Sequence, residues 1–167
     1  MDIRIAGTVE DSIVDGPGLR FVVFVQGCPH HCEGCHNPET HDFSAGKLTT
    51  TDALYEMCME NPLCSGVTFS GGEPFCQPKA LYELGSRFKA AGKHLMCYSG
   101  WTFEELLKKS GSEEYVGKLL SILDVLVDGR FDISKRSLSL LFRGSSNQRL
   151  IDVPASLTNG EAVELPE

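Results

Sequence analysis

The sequence has no run of about 18 consecutive apolar residues, so no segment reads as a membrane-spanning helix. Nor does it have an excess of basic residues. Its 15 Lys and Arg stand against 23 Asp and Glu, a formal net charge of -8. That sign argues against unaided nucleic-acid binding, which needs a basic surface. No internal repeat and no low-complexity segment is visible. The opening Met1-Asp-Ile-Arg-Ile lacks an apolar signal region and runs directly into fold-like sequence. Together these absences predict a cytoplasmic protein that partners neither membrane nor nucleic acid. The 167 residues are 41% hydrophobic, which fits one domain with a real core.

Against that background stand seven cysteines, an odd number, with three of them clustered as Cys28-Pro-His-His-Cys32-Glu-Gly-Cys35. In a reducing compartment, such usage favours metal ligation over disulfides. The spacing is C-x3-C-x2-C. Cysteine thiolates are the usual ligands of iron–sulfur clusters. Three of them on a four-iron cluster leave one iron open to a substrate, as catalytic metal sites keep a vacant position. The alternative is a structural zinc, with His36 or a distant cysteine as fourth ligand. His36 directly follows Cys35, and adjacent residues rarely converge on one tetrahedral ion.

The rest of the chain alternates strand with helix. Phe21-Val-Val-Phe-Val25 is a continuous apolar run, the pattern of a strand buried on both faces. Further strands are predicted at Gly66–Ser70, His94–Tyr98 and Asp124–Asp128. Helices are predicted at Thr50–Asn61, Lys79–Ala91, from a Thr102/Glu105 capping box, and at Glu113–Leu123. Thr49 with Asp52 resembles a capping box for the first helix, and Gly92 stops the second. Repeated βα units imply an α/β fold with a mostly parallel sheet. Four or five units cannot close an eight-stranded barrel, so an open sheet or partial barrel is expected. Active groups should gather at the carboxyl ends of its strands. The segments Gly27-Cys28, Gly71-Gly72-Glu73, Ser99-Gly100 and Asp128-Gly129-Arg130 all fall there. The acidic tail from 153 to 167 is expected to be loosely ordered.

Ser70-Gly71-Gly72-Glu73-Pro74 follows a strand. Its glycines let backbone approach a ligand closely, having no Cβ to exclude it. A carboxylate beside them can take up an amino group. Taken alone, the motif also fits an ordinary strand-to-helix turn. Together with the cysteine triplet, it resembles the radical S-adenosylmethionine superfamily. That resemblance implies an open, partial βα barrel over residues 1–152. It also implies a [4Fe–4S] cluster on Cys28, Cys32 and Cys35. S-adenosylmethionine then sits on the fourth iron, with the glycine-rich motif at its amino group. Asp15-Gly-Pro-Gly-Leu-Arg20 resembles the signature of glycyl-radical-enzyme activases. Val125–Phe131 and Phe142–Arg149 resemble the branch that serves anaerobic ribonucleotide reductase. The chain has no room for the ferredoxin-like insert of some larger activases.

The resemblance implies as partners an anaerobic ribonucleoside-triphosphate reductase and a flavodoxin- or ferredoxin-type electron donor. Gly34 stands where many members have an aromatic residue, so Gly34, Cys35 and His36 are candidates for the adenine contact. Ser70, Gly71, Gly72 and Glu73 are candidates for the methionine end. Asp128 and Arg130 are candidates for cofactor binding, with Arg130 able to bond a cofactor carboxylate; a local salt bridge between the two is the alternative. Ser145 and Asn147, with Arg143, can bind ribose or carboxylate or dock the partner's glycine loop. His30 and His31 read as loop residues packed near the cluster. Cys58 reads as a buried small hydrophobe. Cys76 and Cys97 lie near strand ends and could approach the site.

Overall fold

The computed structural model describes residues 1–166, built on one seven-stranded sheet. In chain order its strands are β1 (Asp2–Ser12), β2 (Arg20–Val25), β3 (Lys47–Thr50), β4 (Gly66–Gly71), β5 (His94–Tyr98), β6 (Val125–Asp128) and β7 (Arg149–Asp152). The spatial order is β3-β1-β2-β4-β5-β6-β7. The four central strands, β2, β4, β5 and β6, run parallel. These are the apolar runs legible in the sequence. Antiparallel strands flank them: β1 pairs with both β2 and β3, and β7 pairs with β6.

The crossovers carry α1 (Thr51–Met59), α2 (Pro78–Ala90), α3 (Phe103–Ser110) and α4 (Glu114–Ile122). Thr102 and Glu105 form the expected capping box of α3, and Gly92 follows α2 at φ +80°. The cap of α1 lies one residue later than expected. Thr50, the last residue of β3, accepts the Ala53 N–H at 3.1 Å, and Thr49 lies one residue further back in that strand, opposite Ile3.

Side chains alternate across a strand. Phe21, Val23, Val25, Val67, Phe69, Leu95, Cys97 and Leu126 therefore share one core with the helical Leu54, Leu81, Leu84, Phe88, Leu106 and Leu119. Each such buried side chain contributes about 1.5–3 kcal/mol. The alternate positions form the other face. There Met96, Val125, Val127 and Leu150 make a smaller cluster with Tyr98 and Phe142. No described helix is long and apolar enough to cross a membrane.

The expectation of a loosely ordered tail is corrected. Val153–Asn159 form a further helix, α5, capped by Asp152 accepting the Ala155 N–H at 3.0 Å. Val153 lies in the main core. Beyond α5 the chain returns, and Leu165 N–H bonds to Leu150 O at 2.8 Å. Apolar burial outweighs the acidic composition of this segment. Ending the chain after Asp152 should therefore cost about 3 kcal/mol from lost burial, lowering Tm by roughly 6–12 °C. A thermal melt checks this, and an unchanged Tm would return the segment to a loose tail.

Candidate functional site

The site grows out of the register between β2 and β4, where Val25 stands opposite Gly71. The two chains stay joined past their strand ends. Gly72 N–H bonds to Val25 O at 2.9 Å, and Glu73 N–H bonds to Gly27 O at 2.8 Å. The cysteine loop then closes on itself, with Gly27 N–H on Thr40 O (2.7 Å) and Cys28 N–H on His41 O (3.2 Å). Gly71 has φ +95°, and a Cβ there would lie 2.6 Å from Val25 N. A Cβ on Gly72 would overlap the Gly27 carbonyl. The side of Gly72 that a Cβ would occupy is thus filled by the backbone of the cysteine loop, while the residue still borders the cavity of the three cysteines.

Glu73 is fully buried, at 0% exposure. It accepts hydrogen bonds from Ser99 Oγ (3.0 Å to each oxygen), Gly100 N–H (2.7 Å) and Phe75 N–H (3.0 Å). His30 Nε2 lies 2.7 Å from Oε1. A buried carboxyl group needs such partners. The expected contact with a cofactor amino group therefore meets a side chain already surrounded by protein donors. The His30 ring also packs edge-on against Trp101, with centroids 4.7 Å apart. The pair ties the cysteine loop to the ends of β4 and β5.

Cys28, Cys32 and Cys35 line one cavity of about 110 Å³. His30, His41, Gly71, Gly72, Tyr98, Ser99, Gly100, Gly129, Phe131 and Gln148 complete its wall. Loops after all four parallel strands thus meet at one place. An adjoining cavity of about 490 Å³ shares Cys35, Gly71, Tyr98, Phe131 and Gln148, and adds Ser70, His36, Phe24, Asp15 and Arg143. The His36 and Phe131 rings lie 5.0 Å apart on its wall. Tyr98 OH donates to Phe142 O at 2.7 Å, and burial pushes this phenol up.

All three clustered cysteines are free thiols. Burial pushes the Cys28 thiol up, and the Glu73 charge adds to the effect. Burial also pushes Cys32 up, against the pull of Arg130. Three soft sulfurs on one cavity wall, with no fourth thiol on it among the described residues, fit a cluster that keeps one iron open. A single zinc asks for ligands about 2.0–2.3 Å from one centre. Among the described residues, no three His, Cys, Asp or Glu side chains, the clustered cysteines included, are gathered into a metal-holding group as they stand.

Other predicted residues lie elsewhere. Asp128 is buried and accepts from Phe103 N–H (2.8 Å) and from Arg149, 2.5 Å from its Nη2. Its salt-bridge partner is therefore Arg149, not the expected Arg130. Arg130 is half-exposed, 3.8 Å from Glu105. Ser145 Oγ donates to Asn147 Oδ1 at 2.6 Å, and Asn147 Nδ2 donates to Arg130 O at 2.8 Å. Asp128, Arg130, Ser145 and Asn147 line neither cavity. Gly34 has φ +72° and packs against Ile133 and Phe131. Cys76 and Cys97 line neither cavity, and Cys97 faces the helices. Burial, with Glu73 nearby, pushes Cys76 up to about 12. Cys58 is buried as expected, its sulfur 3.7 Å from that of Cys64. Sequence reasoning missed Tyr98, Phe131, Gln148 and His41. Phe131 and Gln148 lay inside quoted motifs, but nothing in their spacing marked them.

Comparison with known proteins adds to this geometry. A family model described as a 4Fe-4S single cluster domain matches residues 14–151. The chain is similar to the anaerobic ribonucleoside-triphosphate reductase-activating protein of Enterobacteria phage T4. Identity is 31% over 144 residues, 82% of this chain and 86% of the phage protein. The protein of the same name from Haemophilus influenzae is 34% identical over 81% of this chain and 89% of its own length. The pyruvate formate-lyase-activating enzyme of Clostridium pasteurianum is 40% identical over 63% of this chain and 48% of that enzyme.

Two substitutions test the framing contacts. Glu73→Gln keeps the shape but leaves a buried donor facing donors, so the metal-free chain should lose about 3 kcal/mol in urea unfolding. Gly72→Ala should push against Gly27 and reduce the iron taken up on anaerobic reconstitution. Parent-like stability in the first, or parent-like iron in the second, would contradict this account of the loop.

Proposed function

The chain belongs to the 4Fe-4S single cluster domain family, as a radical S-adenosylmethionine activase, and from that premise we propose that it generates a glycyl radical on an anaerobic ribonucleoside-triphosphate reductase. The observation that carries this reading is the cavity where three free thiols meet the Gly71-Gly72 backbone. When bound, the cluster supplies one electron to S-adenosylmethionine, giving methionine and a 5′-deoxyadenosyl radical that takes Hα from a glycine.

Cys28, Cys32 and Cys35 hold the cluster as thiolates. Ser70, Gly71 and Gly72 face the adjoining cavities and receive the methionine end of the cofactor. Glu73 acts as a positioning residue that fixes these glycines against the cysteine loop. The backbone of Cys35 and the ring of His36, backed by Phe131, form the adenine wall. Gly34 shapes the turn before them. We assign Asp128, Arg130, Ser145 and Asn147 to holding the wall loops in place, because their polar atoms bond to protein. The sheet acts as an open βα barrel with its mouth at the carboxyl strand ends, and the functional unit spans residues 1–152. The uncovered cavity at Asp15 and Arg143 is where a partner's glycine loop closes out water. A flavodoxin- or ferredoxin-type protein supplies the electron. Seven free thiols support a reducing, cytoplasmic setting.

The test is anaerobic reconstitution with iron and sulfide, then dithionite and S-adenosylmethionine. The parent should be brown and form 5′-deoxyadenosine, while Cys32→Ala should lose iron and nearly all cleavage. Full cleavage in Cys32→Ala would remove the ligand assignment. With the reductase present, paramagnetic resonance should show a glycyl doublet, reduced several-fold in Arg143→Ala. A doublet on pyruvate formate-lyase, with none on the reductase, would move the chain to that second substrate, which the Clostridium relative favours.

A further inference from the structure

Cys58 and Cys64 lie apart from the cysteine loop, and their sulfurs face each other at 3.7 Å. Cys58 stands in the last turn of α1, and Cys64 stands two residues before β4. The pair is thus at the amino end of β4, whereas the clustered thiols meet its carboxyl end. Two turns fix the chain between the partners. Asn61 N–H bonds to Cys58 O at 3.3 Å, and Cys64 N–H bonds to Asn61 O at 3.2 Å. Cys64 Sγ also donates to Gly66 O at 3.1 Å. Both residues are buried, and both border a cavity of about 550 Å³ that is separate from the two described above. A small oxidant entering that cavity meets the pair without passing the cluster site.

Two thiols held this close need little movement to join. A disulfide sets its sulfurs about 2.05 Å apart, so roughly 1.7 Å has to close. Cys58 is in the part of a helix that frays most readily. We propose that Cys58 and Cys64 are a modification site, closing into a reversible disulfide when the chain meets a peroxide. One sulfur, as its thiolate, attacks a peroxide oxygen; the O–O bond breaks, water leaves and a sulfenic acid forms. The second sulfur attacks the first, the S–O bond breaks and a second water leaves. In all, two thiols and one hydrogen peroxide give one disulfide and two waters, with two electrons passing from the sulfurs to the peroxide. Burial, with the neighbouring sulfur, pushes the Cys58 thiol up to about 12, an effect Lys93 opposes. Thiolate is therefore scarce at neutral pH, and closure is slow there. None of this depends on a bound cluster.

The test treats the folded, metal-free, full-length parent with a small molar excess of hydrogen peroxide, then unfolds and alkylates it. Cys58 and Cys64 should both escape alkylation. Cleavage at Glu60, which lies between them, should leave the two fragments joined until a thiol reductant is added. In Cys64→Ser no such joined pair should form, and the parent's map decides the matter even if that variant fails to fold. Full alkylation of Cys58 and Cys64, under conditions that oxidise Cys28, Cys32 and Cys35, would overturn the proposal. So would a disulfide that forms in urea but not in the folded chain, or an oxidation of either sulfur that the reductant does not reverse.

Discussion

The buried side chain of Glu73 is the contact on which the site depends. It reaches back 43 residues to His30 in the cysteine loop and forward 26 to Ser99 beyond β5. It also holds the backbone of its own turn at Phe75. An unpaired carboxylate in that position would cost several kcal/mol. Four protein groups, Ser99, Gly100, Phe75 and His30, offset the cost. They also make the placement of each loop conditional on the others. The cysteines are thus positioned less by their own short loop than by strands that follow much later.

The second constraint is that the helices bury one face of the sheet and leave the other to a small apolar cluster and irregular structure. Arg20 is buried on that second face. Its guanidinium donates to Thr68 Oγ1, Pro17 O, Val67 O and His94 O. These bonds hold the Asp15–Arg20 turn across the sheet, where Val14 and Asp15 line the larger cavity. Val14 on this rim and Ile13 beside it stand in solvent, at 72% and 74% exposure. Apolar side chains left in water around a concave mouth fit a surface that a protein partner covers.

Much of the architecture was legible because buried parallel strands carry continuous apolar runs. The strands β2, β4, β5 and β6 and the helices α1 to α4 fall within a few residues of their expected positions. The flanking strands β1, β3 and β7 were not legible. Half-exposed antiparallel strands read much like loops, and β3 and β7 have four residues each. In α5, Asp152 caps a helix whose early Pro154 is compatible with a first turn, a signal that composition masked. The cysteine spacing and the glycine pair could be read locally. The roles of Glu73 and Asp128 could not, since their partners are distant in sequence. Arg149 lies 21 residues from Asp128, whereas the neighbouring Arg130 faces solvent.

The distance from Glu73 to its partners also bears on biosynthesis. The three cysteines leave the ribosome early, but the contacts that shape their loop do not exist until Ser99 and Gly100 have emerged and β5 has docked. The wall of the cavity is complete only when Gln148 is in place. A nascent chain therefore presents bare thiols well before it presents a site. The cavity of the three cysteines is therefore complete only on a sheet already assembled.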